Sequence, residues 1–149
     1  MDAGLLAVKR GEGTFVADTI PAVPKAERSR ALAEAALRYA STAVTVGASR
    51  DEADRALDSA FSLMGRGNYE ILVEWLTIAA GSDYEPAFPK IREVLSRVGR
   101  MKYLRPLFNA LGATERTRAL AREIFAAASP TYHGLSRRVV AGVIEKYGA

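Results

Sequence analysis

From Lys25 onward one pattern runs almost to the end of the chain: apolar residues return at i, i+3, i+4 and i+7, the spacing of a helix that buries one face. Seven segments carry it. The first holds Leu32, Ala36, Tyr39, Ala40 and Ala43, and the second Ala53, Ala56, Leu57, Ala60, Phe61 and Met64. Ile71, Leu72, Trp75, Leu76 and Ala79 form the third; Ile91, Val94, Leu95 and Val98 the fourth; Leu104, Leu107, Phe108 and Leu111 the fifth. Leu120, Ala121, Ile124, Phe125 and Ala128 make the sixth, and Leu135, Val139, Val143 and Tyr147 the seventh. Gly47, Gly65, Gly81, Gly99 and Gly112 each follow a segment closely, where a left-handed residue can close a helix. Ser49 with Glu52 and Ser82 with Glu85 have capping-box spacing, and Thr114 is placed to cap the sixth helix.

Loops this short force successive helices to pack antiparallel. The expected fold is therefore all-α, a solenoid-like array of about seven antiparallel helices over residues 25–149. Residues 1–24 stand apart as a short non-helical leader or linker, with Gly4, Gly11, Gly13, Pro21 and Pro24 breaking any helix. The apolar run Thr14-Phe15-Val16 has strand character but no partner evident in the sequence.

Composition removes whole classes of chemistry. The chain has no Cys and one His among 149 residues, so thiolate nucleophiles, redox pairs and zinc ribbons are excluded. No apolar run approaches the ~18 to 20 residues of a membrane span, and the N-terminus lacks the order of a signal peptide. The expectation is a soluble, cytoplasmic protein with no membrane contact.

The charge is informative by position. Lys plus Arg number 21 against 17 acids. No acid falls between Glu93 and Glu115, whereas Arg97, Arg100, Lys102 and Arg105 all do, so the net excess of +4 sits in that one segment. A local basic patch points to an anionic partner there. Pro106 has no amide hydrogen and is best tolerated in a first helical turn, which puts the helix start near Tyr103 with Arg100 and Lys102 just ahead of it. Free backbone amides, the positive end of the helix dipole and two cations would then converge, as in sites that hold a carboxylate or phosphate. The competing reading is that these are solvated loop charges.

Other candidates have plainer readings. His133, in Ser129-Pro130-Thr131-Tyr132-His133-Gly134, stands without the further ligands a zinc site needs, and a structural hydrogen bond at the start of the last helix suits it better. Gly11-Glu12-Gly13 lacks the lysine and the strand-to-helix context of a phosphate loop. Trp75 and Tyr69 occupy core-facing positions, and no Ser, His and carboxylate form a nucleophile motif. Glu70 with Glu74, and Asp51 with Glu52, read as helix-face and first-turn charges.

Glu74-Trp75-Leu76, the string Gly99-Arg100-Met101-Lys102-Tyr103-Leu104-Arg105-Pro106-Leu107-Phe108-Asn109-Ala110-Leu111, and Tyr132-His133 with the final helix resemble the C-terminal domain of the leukotriene A4 hydrolase and aminopeptidase B family of zinc metallopeptidases. The resemblance covers about the last 90 residues, and upstream, from Lys25 to Met64, only helical character matches. Gly134 stands where the family usually has Pro. The resemblance implies a right-handed α-α superhelix that packs on a thermolysin-like catalytic domain and closes one side of the substrate channel. It implies that Arg100 and Lys102 recognise the carboxylate of a peptide or lipid substrate. Arg105, inside the helix, is assigned to structure, as are Pro106, Trp75 and His133 on the readings above.

The family's H-E-x-x-H helix and Gly-x-Met-Glu-Asn segment do not occur in this sequence. With one His the chain cannot assemble that zinc site, so no cofactor is expected in it and zinc is expected in an associated catalytic domain, in cis or in trans. The alternative is a free-standing helical-repeat module whose basic segment meets an acidic protein or a nucleic-acid backbone, nucleic acid being the less expected partner. An autonomous enzyme is the third and weakest reading.

Overall fold

The computed structural model describes residues 6–9, 13–16 and 23–148. The chain falls into two compact units, Met1–Gly47 and Ala48–Ala149. In the first, β1 (Leu6–Lys9) pairs antiparallel with β2 (Gly13–Val16), in a register that sets Leu6 opposite Val16 and Ala7 opposite Phe15. The strand expected around Phe15 thus has a partner, one that four residues of unremarkable composition did not announce. Gly11 and Glu12 lie outside the described residues. Helix α1 (Lys25–Thr45) follows, with Pro24 at its N-cap and Gly47 just past its end in the left-handed region, φ 71°. None of its residues is buried.

The second unit holds six α-helices among its described residues: α2 (Arg50–Phe61), α3 (Tyr69–Gly81), α4 (Phe88–Arg97), α5 (Met101–Ala113), α6 (Glu115–Ala128) and α7 (Gly134–Lys146). Short 3-10 turns at Leu63–Gly65, Glu85–Ala87 and Ser129–Thr131 join α2 to α3, α3 to α4 and α6 to α7. Helix α5 packs against α3 on one side and α7 on the other, and α4 packs on α6. Alternate helices therefore form two layers, the arrangement expected of stacked hairpins. The fold is all-α.

Helix α5 is the centre of the core. Leu104, Leu107, Phe108 and Leu111 are fully buried, and Tyr103 nearly so. This explains a departure from the sequence reading. The helix begins at Met101 rather than near Tyr103, so Lys102 lies in its first turn and Pro106 inside the helix. A proline there forfeits a backbone bond at a cost of about 3 kcal/mol. Burying four large apolar side chains at about 1.5 to 3 kcal/mol each outweighs it.

Other local expectations are also overridden. Of the five glycines, Gly47 alone has a positive φ; the left-handed positions after α2 and α3 are Ser62 (φ 49°) and Asp83 (φ 59°). Ser49 and Glu52 do form the reciprocal capping box of α2. Ser82 instead ends α3, its hydroxyl donating to the Ile78 carbonyl. Thr114 occupies the N-cap of α6, but its hydroxyl donates to Asp83 rather than capping the helix. In α7 the buried face is Ser136, Val140 and Val143, while Leu135 is 58% exposed. The face is turned because Ser136 reaches across to donate to the Gly99 carbonyl. Phe61 of α2, expected in the core, is 55% exposed, and the buried residue on that helix is Asp54.

Gly112, buried within α5, marks where α7 comes closest. A Cβ added there would overlap Cδ2 of the Tyr147 ring and stand 2.8 Å from its Cγ. Gly112→Ala gains about 1 kcal/mol of helix propensity but incurs about 1 to 3 kcal/mol of overpacking, and Tyr147, at the end of α7, can yield part of the way. The expected result is a net loss of about 1 kcal/mol in urea unfolding. Gly142→Ala, where nothing lies within 4 Å, is expected to stabilise by about 0.5 to 1 kcal/mol. Equal gains at both positions would show that Tyr147 does not pack on Gly112.

Candidate functional site

Arg100 is the N-cap of α5 in extended conformation, and its carbonyl accepts from the Tyr103 and Leu104 amides at 2.9 and 3.1 Å. No N-cap side chain caps this end. The amides ahead of Tyr103 are those a helix cannot satisfy internally, and the dipole is positive there. Arg100 is exposed beside them.

Lys102, in the first turn of the helix, is exposed but paired. Its Nζ donates to Glu70 Oε1 at 2.6 Å, and the same oxygen accepts from the Tyr103 hydroxyl at 2.8 Å. Glu70 lies in the first turn of α3, where its own amide donates to Asn68 Oδ1 at 2.9 Å in an N-cap. The Tyr103 ring is wedged against Tyr69, centroids 6.1 Å apart, so the hydroxyl that meets Glu70 is held by a buried ring. The two helix starts are thereby tied by one carboxylate oxygen. The Lys102 ammonium, then the Tyr103 hydroxyl, hold the Glu70 carboxyl below the usual carboxylate range, and Lys102 is raised in turn by Glu70. The Arg100 charge acts on both groups, which places the two cations in one neighbourhood.

The basic segment is less basic in three dimensions than along the chain. Arg97 pairs with Glu93 at 3.0 Å and Lys102 with Glu70, both acids lying outside the stretch. Arg100 and Arg105 remain as its exposed cations without an ion pair among the described residues. Arg105 lies on α5, where its carbonyl accepts from Asn109. Trp75 is buried with its ring edge-on to Tyr84, its Nε1 unpartnered among the described residues. His133 is the N-cap of α7, its Nδ1 accepting from the Leu135 amide at 3.3 Å. Glu70 and Tyr103 are the residues sequence reasoning missed as site members, since a contact across more than thirty positions leaves no local pattern.

A separate concavity of about 900 Å³ is lined by Ser49, Arg50, Arg55, Asp83, Glu85 and Arg116. Arg55 and Arg116 are paired there with Asp51 and Glu85. Among the described residues no group of three His, Cys, Asp or Glu side chains could hold a metal ion, and no helix is long and apolar enough to cross a membrane.

A two-layered all-α array with a cationic helix start at its surface is the class that fold and site define. Residues 36–144 match the family model described as leukotriene A4 hydrolase, C-terminal. The chain belongs to that family. It is 35% identical over 80 residues to leucine aminopeptidase 2 of Yarrowia lipolytica, 54% of this chain and 12% of that protein. With aminopeptidase B of Mus musculus it shares 36% identity over 67 residues, 44% of this chain and 10% of the other. With leucine aminopeptidase 2 of Neurospora crassa it shares 34% over 89 residues, 60% and 13% respectively. The chain thus aligns with roughly an eighth or less of the curated relatives' length. The family match begins inside α1, upstream of where motif resemblance begins.

Proposed function

We propose that this chain is the helical C-terminal part of a zinc aminopeptidase system, packing on a catalytic domain in cis or in trans and reading the carboxylate end of a peptide substrate. Zinc belongs to that catalytic domain, since this chain has one His and no Cys. The carrying observation is the α5 start: backbone amides without a side-chain cap, and the exposed Arg100 guanidinium next to them. Arg100 takes the substrate carboxylate, and Lys102, already engaged by Glu70, adds its field. Family membership and the pairing of Arg97 and Lys102 both favour this over a module that binds nucleic-acid backbone.

The test is kinetic. With the catalytic domain supplied, Arg100→Ala is expected to raise KM about tenfold for a tripeptide with a free C-terminus, the worth of one charge-assisted contact of about 1.4 kcal/mol. The same peptide as its C-terminal amide should be unaffected. An unchanged KM for the free acid removes Arg100 from substrate recognition.

A further inference from the structure

We infer that Glu70 is a positioning residue that sets the charge preference of the α5 site, reducing the advantage that a ligand end with two negative charges has there over one with a single charge. The inference rests on the reading of Arg100 and Lys102 given above. One carboxylate oxygen accepts from both Lys102 Nζ at 2.6 Å and the Tyr103 hydroxyl at 2.8 Å, and Tyr103 is buried, so Glu70, although its side chain is 54% exposed, is directed to the helix start by two partners. Its charge offsets that of Lys102, leaving Arg100 as the cation without an acidic partner at this mouth.

The consequence follows from Coulomb's law. A fixed negative charge at about 6 Å from a bound anion in a water-like medium weakens a monoanion about threefold and a dianion about tenfold, because the repulsion scales with ligand charge. A phosphate monoester thus loses more of its binding through Glu70 than a single peptide carboxylate does. Glu70 also anchors the ammonium that an untethered lysine would swing through solvent, which links its geometric and electrostatic roles.

The experiment uses the full chain labelled with nitrogen-15, following the Met101 and Lys102 backbone amides by NMR at pH 8. N-acetylalanine serves as the monoanion and phenyl phosphate as the dianion, since the second phosphate ionisation lies near pH 6. Glu70→Gln removes the charge while keeping an oxygen that can accept from Lys102 and Tyr103. It is expected to tighten N-acetylalanine about threefold and phenyl phosphate about tenfold, shifting the preference towards the dianion. Glu70→Ala removes charge and grip together, so the same shift in preference with weaker binding of both probes separates electrostatics from positioning. An unchanged preference in Glu70→Gln, with Arg100→Ala still abolishing the amide shifts, overturns the role of Glu70 and leaves that of Arg100 intact. If Arg100→Ala leaves the shifts unaltered, or neither probe moves these amides in the native chain, both readings fall.

Discussion

Phe108→Ala lowers the unfolding free energy by about 3 to 5 kcal/mol, the range for emptying a well-packed aromatic site. Phe108 has no exposed surface and meets Phe125 of α6 edge to face, centroids 6.1 Å apart at 88°. Its helix packs on α3, α6 and α7, so few neighbours can relax into the void without disturbing another contact. Urea unfolding followed by Trp75 fluorescence checks this, because Trp75 is the chain's one tryptophan and reports on the second unit. The midpoint should fall with little change in slope. Phe108→Leu keeps most of the volume and should cost about 1.5 kcal/mol or less. Phe61→Ala, at a phenylalanine 55% exposed, should stay within about 0.5 kcal/mol. Equal losses at Phe61 and Phe108 would mean the core is not where α5 places it.

The contrast between those two phenylalanines shows how far the sequence is legible. Both satisfy a helical period, yet periodicity reports only that a face exists, not which partner covers it. The segments of α3 to α6 were readable because their apolar residues are large and closely spaced, and Leu72, Trp75, Ile91, Leu107 and Ile124 are all buried. Helix α7 was read correctly at Val143 but not at its start, where Leu135 is exposed and Ser136, donating to a distant carbonyl, is buried with Val140. Glycine as a helix terminator misled for a related reason. Asp83 and Ser62 take the left-handed positions instead, and Asp83 gains a hydrogen bond from Thr114, 31 positions away.

The site was legible to the same degree. Arg100 and Lys102 were picked out by an acid-free stretch and by family resemblance, but a chain-wise count of charge cannot see that Glu70 arrives from α3. Linear spacing carries helix-face and capping information over three or four residues. The Arg97–Glu93 pair falls within that range, four residues apart on α4, whereas the Lys102–Glu70 pair depends on which helices become neighbours and appears only once α3 lies against α5.

Tyr132 joins α4 to the start of α7, and its loss should be felt in stability and in pH dependence together. It is 3% exposed, and its hydroxyl donates to the Leu95 carbonyl at 2.6 Å. Leu95 lies in the last turn of α4, where carbonyls have no donor within the helix, so a side chain from elsewhere supplies it. Tyr132→Phe keeps the ring but strands that carbonyl in a buried place, at an expected cost of about 1 to 3 kcal/mol at neutral pH. Burial pushes the phenol up from 10.0 to about 12. A folded-state value above the unfolded one means the unfolded chain loses the proton first. The contribution is whole below pH 10 and fades as pH rises through 10 towards 12. The stability gap between native chain and Tyr132→Phe should therefore be constant from pH 7 to about 9.5 and narrow above it, with other ionising tyrosines cancelling between the two. A gap that stays constant to pH 12 would show that the phenol is not held protonated by the fold.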